Sequence, residues 1–405
     1  MTASVGKHVL IIVENLPVPF DRRVWQESNT LKAAGYDVTV VCPTGRGYDA
    51  RRETIDGIDV YRYQLPMEGN GVLGYVVEYT WALAMQFWLA ARVFFKKRFH
   101  VLHACNPPDN IFLVALPFKL FGVKFLFDHH DINPELYEAK FGRRDFFYKV
   151  MLFWERLTFW IADASIATNE SYRNIAIQRG KMNPDRVTIV RSGPDLSRLK
   201  TVEPVAALKQ GREYLVGYVG VMGQQEGIDL LLETVQYIVE SKDRHDVHFA
   251  LVGDGTELAE LKRQAQEMRI ADYVTFTGRV PDAELLEVLN TADVCVNPDR
   301  ANEMNDKSTM NKIMEYMALG KPIVQFDLTE GRFSAREASL YADKNDPVDF
   351  GNKIIELLDD PDKRAEMGAY GKNRVVNELS WEYEVPKLLG AYEQLLNQKP
   401  SQHKT

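Results

Sequence analysis

The 405-residue chain is poor in cysteine. It has three, Cys42, Cys105 and Cys295, far apart and without a CxxC pair. That pattern argues against a disulfide framework and against a zinc site, and it fits a reducing cytosol. Long apolar runs are missing too. A membrane-crossing helix needs about 20 apolar residues, and the run from Trp81 to Phe95 is broken by Gln86 and Arg92. Residues 1–7 are short and polar, unlike a secretory leader. No GxGxxG follows the first apolar segment, so an ordinary dinucleotide site is not expected. There is no fine repeat, and the only low-complexity stretch is the polar tail after Asn397. The expectation from these absences is a cytoplasmic chain with no membrane span and no resident metal.

What is present is enough apolar material for sizeable cores, 45% of residues, and enough length for two or three domains at roughly 150 residues each. The net charge of −8 is unevenly spread. Residues 1–200 carry 26 basic and 21 acidic side chains (+5), and residues 201–405 carry 23 and 36 (−13). A mildly basic half suits an anionic surface or acceptor, while drift in surface charge between two domains would give the same balance.

Along the chain, short β-branched runs alternate with helical patterns. Strands are expected at His8–Glu14, Asp37–Cys42, Ile58–Gln64, Val101–Ala104, Val123–Asp128, Ala164–Thr168 and Val187–Val190. The helices between them include Trp25–Ala34 and Phe146–Ala162. Arg191–Gln210 is polar, holds Pro194 and Pro204, and reads as a linker. The alternation restarts with strands at Leu215–Val219, His248–Val252, Val274–Thr277, Val294–Asn297 and Pro322–Phe326, and Trp381–Leu396 reads as a closing helix. Such alternation predicts an α/β protein with two doubly wound parallel sheets, residues 1–198 and 199–381, with ligands beyond the strand C-terminal ends.

Residues 302–322 carry the most chemistry. Ser308 is a good N-cap and Gly320-Lys321-Pro322 a good helix stop. At about 100° per residue, Ser308, Lys312 and Glu315 fall on one face and Met310, Ile313, Met314 and Met317 on the other. A helix N-terminus followed by a cation and a carboxylate is a ready site for a phosphate and a ribose. An i,i+3 Lys–Glu surface pair is the plainer reading.

Other strand ends are also marked. Glu14-Asn15 leads into a stiff loop with Asp21-Arg22-Arg23. His129-His130-Asp131 follows another strand; adjacent histidines on extended chain point to opposite sides, which disfavours a shared metal. Gly220 and Gly223, Gly253-Asp254-Gly255, and Gly278-Arg279-Val280 end three successive strands and would form one rim. Tyr75–Phe99 is aromatic and ends in Lys96-Lys97-Arg98. It reads either as a core helix or as one that meets a membrane interface.

Together these residues resemble the family 4 retaining glycosyltransferases of GT-B fold, bacterial surface-polysaccharide type. The resemblance rests on Pro19–Trp25, Asp128–Asp131 with Pro134-Glu135, Gly220, Gly253–Gly255, Gly278–Val280 and Lys312–Pro322. It implies two facing Rossmann-like domains, the second binding a UDP- or GDP-linked sugar, with the closing helix crossing back to the first. It assigns Glu315 to the ribose and Lys312 to the diphosphate. Glu303, Asp306, Lys307, Ser308 and Thr309 would lie around the helix start, and Gly253–Gly255, Arg279 and Val280 beside the base. His130 and Asp131 would meet the donor sugar, and Asn15, Asp21, Arg22 and Arg23 the acceptor. It further implies metal-independent transfer with no cofactor and a glycan or lipid-linked acceptor; peripheral contact with the inner face of the membrane is what the aromatic and basic residues of 75–99 suggest, and no nucleic-acid partner is expected. Two departures stand out. Lys307 occupies the first position of the family's E-x7-E pair, and Val221–Gly227 lacks the cations usual after the first glycine. A nucleotide-sugar epimerase of the same architecture and a partner subunit without turnover are the alternatives.

Overall fold

The computed structural model describes residues 6–65 and 71–397, so the polar tail after Asn397 lies outside the described residues. The chain forms two compact units, Met1–Ser192 with Glu384–Thr405, and Gly193–Tyr383.

The first unit is built on eight strands: β1 His8–Ile12, β2 Asp37–Pro43, β3 Arg52–Ile55, β4 Ile58–Tyr63, β5 Val101–Cys105, β6 Lys124–His129, β7 Ala164–Ala167 and β8 Val187–Ile189. Their order is β3-β4-β2-β1-β5-β6-β7-β8. Every pairing is parallel except β3 with β4. The β3–β4 hairpin turns on Asp56-Gly57, with φ of 48° and 73°. Asp-Gly is the pair that such a turn demands, and reading only the apolar run from Ile58 misses β3. The helices are α1 Arg22–Ala33, α2 Gly71–Lys96, α3 Phe112–Lys119, α4 Asn133–Phe141, α5 Phe146–Ile161 and α6 Glu170–Gln178. The sheet grows one way from β1 to β2 and the other way from β5, so its topological switch lies between β1 and β5.

The second unit has six parallel strands: β9 Tyr214–Val219, β10 Val247–Val252, β11 Val274–Gly278, β12 Val294–Asn297, β13 Ile323–Phe326 and β14 Ser339–Ala342. Their order is β11-β10-β9-β12-β13-β14, with the switch between β9 and β12. Its helices are α7 Ile228–Gln236, α8 Leu258–Glu267, α9 Asp282–Thr291, α10 Glu303–Lys307, α11 Asn311–Ala318, α12 Thr329–Ala335, α13 Pro347–Asp359 and α14 Pro361–Arg374. Strand side chains alternate between two cores. Val216, Tyr218, Phe249 and Leu251 pack with α7, α8 and α13, while Leu215, Ala250 and Val252 pack with α9 and α11. That is the period of two expected of strands buried on both faces. α15 (Trp381–Asn397) then carries the chain back to the first unit.

Candidate functional site

The helix expected from Ser308 is two helices. Asn302 caps α10, its side chain accepting from Asn305 N at 2.9 Å. Ser308 ends α10 and donates to Met304 O at 2.7 Å. It therefore does not cap α11, which starts at Asn311 after Met310 with no side-chain cap. Tyr316 fixes α11 against the sheet: its buried hydroxyl accepts from Val219 N (2.9 Å) and donates to Val296 O (3.3 Å), bridging β9 and β12.

This anchoring sets Lys312 at the switch point. Its ammonium donates to Glu226 Oε2 and to Asp299 Oδ1, each at 2.8 Å, and lies 4.8 Å from the centre of the Tyr218 ring. Lys312 and Glu315 therefore do not form the i,i+3 pair; Glu315 pairs with Arg198. Burial opposes the Lys312 charge, but Asp299 and Glu226 hold its pKa well above the ordinary lysine value. Burial and the nearby Glu226 push Asp299 up to about 7, while Lys312 outweighs burial at Glu226 and pulls it down. The cluster thus balances one ammonium against one carboxylate and a second acid that holds its proton at mildly acidic pH.

The three glycine turns do meet. Gly220 N donates to Val252 O and Gly253 N to Gly278 O, each at 3.0 Å. A Cβ on Gly253 would run into the Gly220 carbonyl, and φ there is +149°. Close approach of two backbones is thus one reason for these glycines. A Cβ on Gly255 would come within 2.5 Å of the Met222 carbonyl, whereas the atoms nearest a Cβ on Gly223, at 3.0–3.2 Å, belong to the Gln225 side chain. A Cβ on Gly220 would come within 3.4 Å of Lys312 Nζ, which places the ammonium beside this rim. Asp254 and Arg279 are exposed on it, and Val280 is half-buried.

Several predicted donor residues are engaged elsewhere. Asp306 accepts from Thr329 N (3.1 Å) and Oγ1 (2.8 Å), so it anchors the start of α12. Glu303 pairs with Lys307 at 2.6 Å, one turn apart on α10. Thr309 lies half-buried between α10 and α11. Sequence reading missed Arg198, Glu226 and Asp299; Glu226 stood in the segment noted for lacking cations, but Lys312 is 86 residues away.

In the first unit, Asp21 caps α1, accepting from Val24 N at 3.0 Å. Arg23 is buried: it donates to Asp128 Oδ1 (3.1 Å) and Val190 O (2.8 Å) and lies 3.1 Å from Glu27. It is thus not presented to an acceptor, whereas Arg22 and Asn15 are exposed. His130 turns Nε2 to Asp128, with Arg23 Nε 2.9 Å away. Burial opposes its charge, yet Asp128 keeps its pKa above the usual histidine value. Burial, with Asp128 nearby, pushes Glu27 up to about 7. Asp131 is raised by burial and hydrogen-bonds Asn15. Asn106, at the end of β5, accepts from His130 N (2.7 Å) and donates to Asp131 O (2.6 Å). Two groups of donors lie within reach of a metal, His103, Cys105 and Asp128, and Glu27, Asp128 and His130. The cation that Asp128, Glu27 and His130 hold in this structure is the Arg23 guanidinium.

These two switch points define a two-domain Rossmann-like protein of GT-B type. The family description "Glycosyl transferase 4-like domain" matches residues 21–193, and "Glycosyl transferases group 1" matches residues 213–360. The chain belongs to the family 4 glycosyltransferases. It is 28% identical over 250 residues to D-inositol 3-phosphate glycosyltransferase of Thermomonospora curvata, covering 57% of each chain. Its fold matches sucrose-phosphate synthase from Thermosynechococcus elongatus with a TM-score of 0.79 at 21% identity, over 96% of this chain and 99% of that one. Anabaena Alr3699/HepE in complex with UDP-glucose matches at 0.71 and 15%, over 96% and 99%.

Proposed function

We propose that this chain is a glycosyltransferase that moves a sugar from a UDP- or GDP-linked donor to a hydroxyl of a lipid-linked or glycan acceptor, as a step in polysaccharide building. The observation that carries the reading is Lys312 Nζ, set beside the Gly220 turn at the β9/β12 switch and held there by two carboxylates. A diphosphate on this rim would meet a positioned ammonium and backbone N–H groups, which stabilise a departing phosphate without a metal. Glu315 would accept from the ribose hydroxyls by taking them in place of Arg198. In the transfer, the C1–O bond to the diphosphate breaks on the face where the acceptor oxygen bonds C1, so configuration is retained. The acceptor proton passes to the departing phosphate oxygen. His130 and Asp131, fixed by Asn106, would hold the sugar, with Asn15 and Arg22 toward the acceptor. The family membership supports the class of reaction, and the retaining course rests on the family resemblance.

One observation favours a second reading. Lys312 is already bound by two carboxylates, as suits a subunit that keeps the fold without turnover. Calorimetry with UDP and GDP, followed by transfer assays over a panel of their sugars, separates these readings. We expect one nucleotide to bind and its sugar to be transferred, with Glu315→Gln weakening the nucleotide by about tenfold to a hundredfold. Unchanged affinity would remove Glu315 from the ribose. Binding without transfer would favour the subunit, and interconversion of two donor sugars the epimerase.

A further inference from the structure

Twenty large apolar side chains are exposed among the described residues, and only five of them, Val221, Phe333, Val348, Val376 and Tyr383, lie outside residues 77–160. Of the other fifteen, Phe141 ends α4 and fourteen sit on α2, α3, α5 and the turns beside them. Four of the protein's six tryptophans are in this set, Trp81, Trp88, Trp154 and Trp160. Phe95 is 86% exposed, Leu120 84% and Phe146 72%, and apolar exposure gathered on neighbouring helices, unlike scattered single residues, marks an interaction site. The helices adjoin: α3 packs against both α2 and α5, and the Phe94 ring lies 5.4 Å from Phe118 and 5.6 Å from Phe121. The charges on them have one sign. Among the described residues of α2, α3 and α5 the exposed charged side chains are Arg92, Lys96, Lys149 and Arg156; Glu155 is buried and Glu78 is half-buried. Arg92 lies over Trp88 at 5.6 Å, an arginine stacked on an exposed indole. No described helix is long and apolar enough to cross a membrane.

We propose that α2, α3 and α5 together form a docking face for the headgroup region of an anionic phospholipid bilayer. This rests on the transferase reading only for its purpose, since a lipid-linked acceptor would be met at that surface. Aromatic rings seat at the headgroup level, and cations add attraction to anionic lipid. A second copy fits less well, because an isologous pairing would set four cations against four like charges.

The test is flotation of the full chain with vesicles of phosphatidylcholine alone or mixed with phosphatidylglycerol. Binding is expected only with phosphatidylglycerol, to weaken with added salt, and to blue-shift tryptophan fluorescence. Reversing Arg92→Glu, Lys149→Glu and Arg156→Glu together, all at exposed positions, should cut vesicle affinity by about a hundredfold. Phe95→Ser with Phe146→Ser should abolish the blue shift. Absence of binding to phosphatidylglycerol vesicles, or indifference to the charge reversals, would overturn the proposal. So would sedimentation equilibrium showing a dimer that Phe95→Ser with Phe146→Ser dissolves. Vesicle binding without any sugar transfer would leave the docking face standing and remove the transferase reading. Transfer to a water-soluble acceptor without vesicle binding would do the reverse.

Discussion

The adjacent histidines after β6 show how one residue's position decides its chemistry. Asp128 raises the pKa of His130 against the cost of burial, whereas His129 faces the opposite way, into a box of Phe127, Phe159 and Tyr172 rings 5.1–5.6 Å away. His129 Nε2 lies 3.8 Å from Glu155 Oε1, beyond hydrogen-bond distance, and burial with the nearby Arg179 brings the ring's pKa down to about 3. The unfolded chain protonates this ring below the ordinary 6.5, while the folded chain resists until about 3. Its stabilising contribution is therefore complete above pH 6.5 and lost as pH falls toward 3. His129→Phe keeps the packing and removes the titration. Between pH 7 and pH 5 it should lose about 2 kcal/mol less stability than the parent. Urea unfolding followed by tryptophan fluorescence reads this, since five of the six tryptophans lie in the first unit. Equal losses would show that His129 is hydrated in the fold. Strand alternation made the opposed directions legible in the sequence. It could not say which ring faced inward, because Arg23, which meets His130, is 107 residues away.

At the scale of elements, most strands fall within one or two residues of where their apolar runs place them, because a strand buried on both faces is written as a continuous run. Helix starts were harder to read. Asn and Ser are nearly equal caps, so the sequence alone cannot choose between Asn302 and Ser308. The choice is made by Asn305, whose amide donates to Gln225 O (2.8 Å) and Arg300 O (2.9 Å) and so pins α10 to the loop after β9. Asn302→Ala should accordingly cost about 1 kcal/mol, and Ser308→Ala no more than about 0.5 kcal/mol, since its hydroxyl back-bonds to Met304 O within the turn. Denaturation midpoints of the two variants test this, and a larger loss for Ser308→Ala would return the cap to Ser308. The same limit applies to the candidate site. The glycine rim is visible as three strand ends, but the Lys312 cluster joins residues 226, 299 and 312, which no local pattern links.

For the whole molecule, the consequential feature is that the last helix serves the first unit. The closing helix was legible as an amphipathic run, but its partners were not. Tyr392 OH meets His103 Nδ1 at 2.8 Å across 289 residues, and its ring lies 5.5 Å from Tyr36. Glu384 accepts from Arg191 N at 2.9 Å, tying the start of the returning segment to the end of the first unit. Leu388, Tyr392 and Leu395 are fully buried, so this helix adds to the core of the first unit beside His103 of β5 and Tyr36. Tyr392→Ala removes a buried aromatic ring and should destabilise the first unit by about 3–5 kcal/mol, whereas Tyr392→Phe removes only a hydroxyl and should cost about 1 kcal/mol. Hydrogen exchange locates the effect: amides of β5 should lose protection in Tyr392→Ala while those of β9 keep theirs, because the recorded partners of Tyr392 lie in the first unit. Equal loss in both strands would mean that the two units unfold as one, and that the last helix supports the chain as a whole rather than the sheet it rejoins.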